Sequence, residues 1–481
     1  MSEQEKRVVK LWFFSSLVWL ALGPLIGLFQ SLQFLWPDVL SFVEALSLPY
    51  SKLRIFHTNL VIYGWIGMGF VAAILYIVPR LCDVELKLPR LAYAAGWVWN
   101  LAVLLDLVLI WAGIVGHPLL SIQPYEYAEA PLLVDILIVL AAVMVIASVH
   151  ATVLKRKREK LYVSVWYLLG GLYTTAITYL VGNFLTLAFT GLGNQMLHAW
   201  WLHNAVGLFI TPLGLGIAYY IIPLAARQPI YSHRLSILGF WTLMAFYPGT
   251  GLHHFLQMPM PRWIGEFAVI SSVLLAIPVL AVVVNHLATP RLNWSRVIES
   301  FPLRFAVLGA VYYLITCIQG PFQTTHAVNW FVHFTEWVQA HAHLALAGAF
   351  TCFGMAAGIY LFPRLTGRKL YSWRLTSWVF WLMAVAFPIF YLGFTHSGLV
   401  VGISVNLLNQ TIYETLQAVW LARLFRTLMG AGVVLAFLLF IFLIVRSLTA
   451  GPAWREGEDE VAPVAPTPGP QAQRVKEVVT A

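Results

Sequence analysis

Apolar runs long enough to cross a bilayer recur along the whole chain, and they constrain everything else. A spanning helix needs about 20 mostly apolar residues. Only helices or closed barrels can cross, because no water is available to pair the backbone. Twelve such runs are legible, at roughly 8–33, 54–79, 91–115, 131–153, 161–187, 195–223, 233–256, 263–287, 302–325, 332–363, 373–396 and 421–447. Composition agrees: 60% of the 481 residues are hydrophobic and 10% charged, against roughly a quarter charged in soluble domains. The expected fold is an all-α membrane protein of twelve transmembrane helices. The three cysteines (Cys82, Cys317, Cys352) show no paired spacing and imply no disulfide framework.

The net charge of +9 belongs to the loops and does not point to a nucleic-acid partner. "KRKREK" (155–160) joins runs four and five, and Arg227 and Arg234 join six and seven. Arg291 and Arg296 follow between eight and nine, then Arg364, Arg368, Lys369 and Arg374 between ten and eleven. The intervening loops are poor in Lys and Arg, and "YEYAE" (125–129) is acidic. Excess Lys and Arg mark cytoplasmic loops, so both termini are expected in the cytoplasm. "MSEQEKRVVK" leads into an apolar run too long for a cleavable signal. Residues 1–450 read as one catalytic domain, and the Pro- and Ala-rich, charged residues 451–481 as a disordered cytoplasmic tail.

Fourteen histidines are many for such a chain, since a polar ring in hydrocarbon needs a partner or a purpose. His117, His150, His198, His233, His286 and His396 sit at helix ends or in loops and read as hydrogen-bonded or interfacial groups. Another six share one depth under this topology. His57 in "HTNLVIYG", His203 in "WWLHNAVG", His253 and His254 in "TGLHHF", and His341 and His343 in "HAH" all fall in the outer half of four helices. Such a grouping reads as a metal centre.

Geometry sorts these ligands. Residues two apart on a helix lie about 200° apart, so His341 and His343 serve separate partners. A six-coordinate haem takes axial imidazoles from two helices, and His57 can supply the second. The other histidine of the pair can hold a second haem alone, leaving its far side open. His203, His253 and His254 then form a three-imidazole cluster suited to copper, zinc or iron. A diatomic molecule held between that cluster and the open haem face is the reactant this arrangement accommodates.

At this point the chain resembles the catalytic subunit of the haem–copper oxidase superfamily, closest to the C family, the cbb(3)-type cytochrome c oxidases. The stretches that carry the resemblance are "LRIFHTN", "YEYAE", "PLLVDILI", "WWLHNAVG", "PIYSHRLSI", "LHHF", "QGPFQTTHAVNWFVHFTEW" and "HAH", in family order over about residues 50–345. The resemblance implies low-spin haem b on His57 and His343, high-spin haem b on His341, and copper on His203, His253 and His254. It implies reduction of oxygen to water with electrons from cytochrome c, coupled to proton uptake. It also implies membrane-anchored c-type cytochrome partners, because this chain has no CxxCH motif of its own. A Ca2+ near the haem propionates belongs to the same expectation, with Glu126 and Glu129 near it. The location implied is the bacterial inner membrane.

Tyr247 precedes His254 by seven residues, two helical turns and roughly 10 Å further inward. In the C family a tyrosine here is cross-linked to the copper histidine of span six, and gives an electron and a proton as the O–O bond breaks. Ser236, three turns below it, and Tyr231 at the cytoplasmic mouth are candidates for a proton path. His333 and Trp337 are expected beside haem propionates.

Two rival readings share some of these features. Nitric oxide reductase has the same fold with non-haem iron, and its cytochrome c-dependent type carries a glutamate one turn past the span-six histidine, where this chain has Gly207. That type also lacks the span-seven tyrosine. Gln319 replaces the glutamate usual in the C family, which leaves any proton role at that place in doubt. A twelve-span secondary transporter is the other rival, but no six-span repeat is visible and the histidines lie off the midplane.

Overall fold

The computed structural model describes residues 1–462 apart from 42–45 and 47. Twelve helices in it are long and apolar enough to span a membrane: Glu3–Gln33, Tyr50–Cys82, Pro89–Ala112, Leu132–Leu154, Val163–Ala188, Gly191–Ala226, His233–Phe255, Arg262–Leu292, Phe301–Thr324, Glu336–Thr366, Trp373–Asn406 and Ile412–Ala450. They are spans one to twelve below.

Burial divides them into two groups. In spans two, six and ten, 94%, 94% and 89% of the most apolar stretch is buried, whereas no other span exceeds 61%. These three helices have essentially no lipid face, so they are where polar ligands can project without meeting hydrocarbon. They carry His57, His203, His341 and His343.

Each inner helix is also irregular in the same place. A π-helical segment follows the histidine at Leu60–Gly67 in span two, Ala205–Ile210 in span six and Leu344–Phe350 in span ten. A π segment inserts an extra residue per turn and re-aims the side chains around it, which is why such segments gather at functional sites. A fourth, Leu382–Ala386, lies in span eleven.

Three sequence expectations need correction. Span ten starts at Glu336, not 332, because Phe334 adopts a left-handed φ of 59° and separates it from a short helix, His326–Val332. Span seven is not α-helical to its end: Pro248 has no N–H to donate, and the chain runs on as 3-10 turns at Tyr247–Gly249 and Gly251–Phe255. The tail read as disordered from 451 is placed as far as residue 462. There Lys369 N–H donates to Pro452 O and Leu370 N–H to Glu460 O. Asp459 pairs with Arg296 at 2.9 Å and Glu460 with Arg364 at 3.0 Å. The acidic run "EGEDE" thus meets the basic ends of spans eight and ten, an attraction that a reading from Pro and Ala content overlooks. Residues 463–481 lie outside the described residues.

Candidate metal centre

Span six and the 3-10 end of span seven bring three imidazoles together. One ring nitrogen from each of His203, His253 and His254 lies within 4.8 Å of the others, and this is the one such group of metal-ligating side chains among the described residues. His203 Nδ1 and His254 Nε2 are 3.2 Å apart. Two nitrogens bound at about 2 Å to one tetrahedral metal ion are about 3.3 Å apart, so the spacing fits a shared ion. His253 Nδ1 lies 2.7 Å from Ser272 Oγ, whose own O–H donates to Ala268 O. Ser272 can therefore only accept, which puts the proton on Nδ1 of His253 and leaves Nε2 free to ligate.

Two glycines let this cluster close. A Cβ at Gly251 would lie 2.4 Å from Trp200 Cα, so only glycine lets the span-seven turn meet the backbone of span six. A Cβ at Gly207 would lie 2.5 Å from Tyr247 Cδ1. The Tyr247 ring therefore lies flat on the bare backbone of span six, its centre 5.7 Å from that of His203. Because 3-10 turns have three residues each, Tyr247, Thr250 and His253 form the aligned row, rather than the seven-residue α-helical spacing read from sequence.

The cluster lines a cavity of about 360 Å³ together with His341, Tyr247, Tyr313, Cys317 and His333. His341 Nδ1 and His203 Nε2 are buried with no protein partner. A second cavity, of about 270 Å³, lies on the other face of span ten and is lined by His57 and His343. Their rings are nearly parallel, at 18°, with centres 6.0 Å apart. Imidazoles placed on opposite sides of one iron at about 2 Å each have facing nitrogens about 4 Å apart, and ring centres somewhat farther. Each Nδ1 donates to a backbone carbonyl, His57 to Gly23 O and His343 to Gln339 O, both at 2.8 Å, so both Nε2 lone pairs are available.

Charge fits a haem there as well. Glu336 receives Arg423 and Arg426, each within 2.8 Å, which leaves one cation in excess. Arg426 is fully buried, lines the cavity, and keeps Nε and Nη2 unpartnered. A buried guanidinium with open donors suits an anionic group such as a haem carboxylate. Arg54, also lining this cavity, reaches Glu129 at 3.3 Å and Glu126 at 3.4 Å. Burial pushes Glu129 up to about 7, while Arg54 pulls it the other way.

The remaining sequence candidates are dispersed. His333 Nδ1 donates to Gln257 Oε1 at 3.0 Å, and the ring lines the cluster cavity. Trp337 lines neither large cavity, and its indole donates to Gln323, which lines the cluster cavity. Ser236 is fully buried and accepts from Asn285 Nδ2 at 2.8 Å. Tyr231 is exposed at the basic end, under the Arg291 guanidinium. Asn285, which also reaches Tyr219 Oη at 3.3 Å, escapes the sequence reading, although an asparagine inside "AVVVNHL" of an otherwise apolar span is a readable signal. His286 is neither hydrogen-bonded nor interfacial: it is buried edge-on against Tyr219, with both ring nitrogens unpartnered. Gln319 is buried with both amide atoms unpartnered.

Comparison with known proteins bears on the whole chain. The family described as cytochrome c and quinol oxidase polypeptide I matches residues 7–449. The cbb3-type cytochrome c oxidase subunit CcoN1 of Stutzerimonas stutzeri is 31% identical over 416 residues, 84% of this chain and 85% of that one. A nitric oxide reductase chain of the same organism is 28% identical over 424 residues, 82% of this chain and 84% of that one. A haem–copper terminal oxidase dimer solved by cryo-electron microscopy superposes with a TM-score of 0.76 at 16% identity, covering 99% of this chain and 90% of that one.

Proposed function

The chain belongs to the cytochrome c and quinol oxidase polypeptide I family, and on that premise we propose that it reduces oxygen rather than nitric oxide. It is a multi-pass membrane oxidoreductase of the haem–copper type with a histidine cluster suited to a metal. The finer assignment is ours. His57 and His343 hold a low-spin haem b, His341 a high-spin haem b, and His203, His253 and His254 a copper ion. When bound, these groups supply the electron transfer and the electrophilic metal pair that oxygen reduction requires.

One observation carries the choice of oxygen. Tyr247 lies against Gly207 so closely that even a methyl group at 207 collides with its ring. A glutamate at 207, the feature of the rival reductase, and Tyr247 in this place exclude each other. The chain has the tyrosine. Its phenol lines the cavity between the cluster and His341, where it can deliver a hydrogen atom, a proton with an electron, as the O–O bond breaks. The overall reaction takes four electrons and four protons per O2 and yields two waters.

Protons reach Tyr247 from the basic, cytoplasmic end of the bundle in this reading. Ser236, Asn285 and Tyr219 form a hydrogen-bonded group below it, with Tyr231 at the mouth. Electrons enter from membrane-anchored c-type cytochromes at the outer end, where Arg54 and Arg426 would hold the carboxylates of the low-spin haem. A Ca2+ near those carboxylates, with Glu126 and Glu129, is part of the proposal, as is a single catalytic domain over residues 1–450.

Replacing Tyr247 by Phe tests the assignment. Oxygen consumption should fall by at least about 100-fold, the scale of a lost proton donor, with both haem spectra and the copper content intact. A fully metallated variant that keeps the wild-type oxygen rate would overturn the role of Tyr247 and, with it, the preference for oxygen.

A further inference from the structure

On the side of span two away from its histidine, the bundle buries two acids. Asp106 of span three and Asp135 of span four are 4% and 0% exposed. Asp106 lies six residues before the end of its helix and Asp135 three after the start of its own, so both sit near the depth of His57. Asn59 stands two residues beyond His57, about 200° around span two, and its Nδ2 donates to Asp106 Oδ2 at 2.9 Å. Tyr179 of span five donates its O–H to Asp135 Oδ1 at 2.7 Å.

Asn59, Tyr63, Asp106 and Tyr179 line a small cavity with room for about one water molecule. Beside it Asp106 Oδ1, Asp135 Oδ2 and Asn59 Oδ1 are buried with no protein partner. Tyr179 lines this cavity with Asp106 and donates to Asp135, and Val134, next to Asp135 in sequence, lines it too, which brings the two acids to one site. A carboxyl group at this depth is costly unless something neutralises it. Among the described residues no Lys or Arg pairs with either one: Arg54, on the same span as Asn59, is engaged by Glu126 and Glu129. The two aspartates belong to no compact group of three or more His, Cys, Asp or Glu side chains among the described residues. A proton remains.

We propose that Asp106 and Asp135 form a proton-binding pair that holds one proton between them, exchanged with water in this cavity. The O–H bond forms on one carboxyl, the proton comes from solvent at the outer end, and no electron moves. The groups facing the pair are Asn59 and Tyr63 from span two, Tyr179 from span five, and Glu129 from the loop joining spans three and four. Arg54 stands beyond Glu129.

The pair is also placed to sense the large cavities. Tyr63 lines the small cavity and donates to Tyr127 O at 3.1 Å, and Tyr127 lines both large ones. An electron arriving beside His57, one helix away, strengthens proton binding at the pair by simple attraction. This coupling rests on the haem assignment above; the bound proton does not.

Infrared spectroscopy of the intact oxidised complex, in H2O and D2O, reads the site without turnover. The wild type should show a carboxylic-acid C=O band that moves down in D2O and is lost in Asp106→Asn and in Asp135→Asn. Tyr179→Phe, which keeps both carboxyl groups, should shift the same band upward by removing its hydrogen bond; it serves also if the asparagine variants fail to fold. The band persisting unshifted in all three variants would overturn the proposal. Electrochemical reduction of the low-spin haem should perturb the band, and an unchanged band would overturn the coupling. Protein that lacks copper but shows the band would contradict the oxygen reading and leave this site standing.

Discussion

The two large cavities are separated by one helix and differ in kind. On one side of span ten, two imidazoles face each other, each held through Nδ1 by a backbone carbonyl. An iron held by both His57 and His343 would have no free position, which would suit it to carrying electrons. On the other side a single imidazole, His341, faces a three-histidine cluster and a tyrosine across about 360 Å³. That asymmetry leaves a position for a reactant. In the proposed assignment, two residues of spacing on one helix thus separate electron transfer from chemistry, and the π segment that begins at Leu344 re-aims the helix beyond both.

Ligand deletion breaks the comparison most sharply. His254→Ala should abolish copper binding and oxygen reduction while the low-spin haem spectrum survives. His343→Ala should do the reverse, losing the low-spin spectrum and retaining copper. Metal analysis and optical spectra of the two purified variants check this, and a shared phenotype would show that the cavities are not independent. A smaller effect is expected from Gly207→Ala. Its methyl group would push Tyr247 off span six, a clash of the kind that costs about 1–3 kcal/mol. The thermal-unfolding midpoint and oxygen turnover should both drop, with the low-spin haem unaltered; an unchanged midpoint would mean the Tyr247 ring moves freely.

Much of this contrast is legible in the amino-acid order alone. Apolar length marks the spans, and loop charge gives all six histidines one depth, because both follow from the cost of polar groups in hydrocarbon. The opposed faces of His341 and His343 follow from helical pitch. The π segments are not legible: nothing in "LVIYGWIG" or "LALAGAF" departs from an ordinary apolar helix, and the extra residue is imposed by packing. Nor is the Glu336–Arg423–Arg426 group, whose members lie nearly ninety residues apart. The 3-10 turn of span seven is hidden for a different reason, since Pro248 signals a break but not the geometry that follows. The ordering of residues 451–462 depends on the basic partners that the acids meet, which composition cannot supply.

In the proposed assignment, six histidines hold two haems and one further metal in two unlike cavities. Copper and iron per haem in the purified, detergent-solubilised complex, corrected for haems on partner cytochromes, test it most directly. One copper for every two haem irons in this chain, with no additional iron, is the predicted result. Iron exceeding haem by half, with copper absent, would contradict the oxygen reductase and make this a nitric oxide reductase built on the same frame.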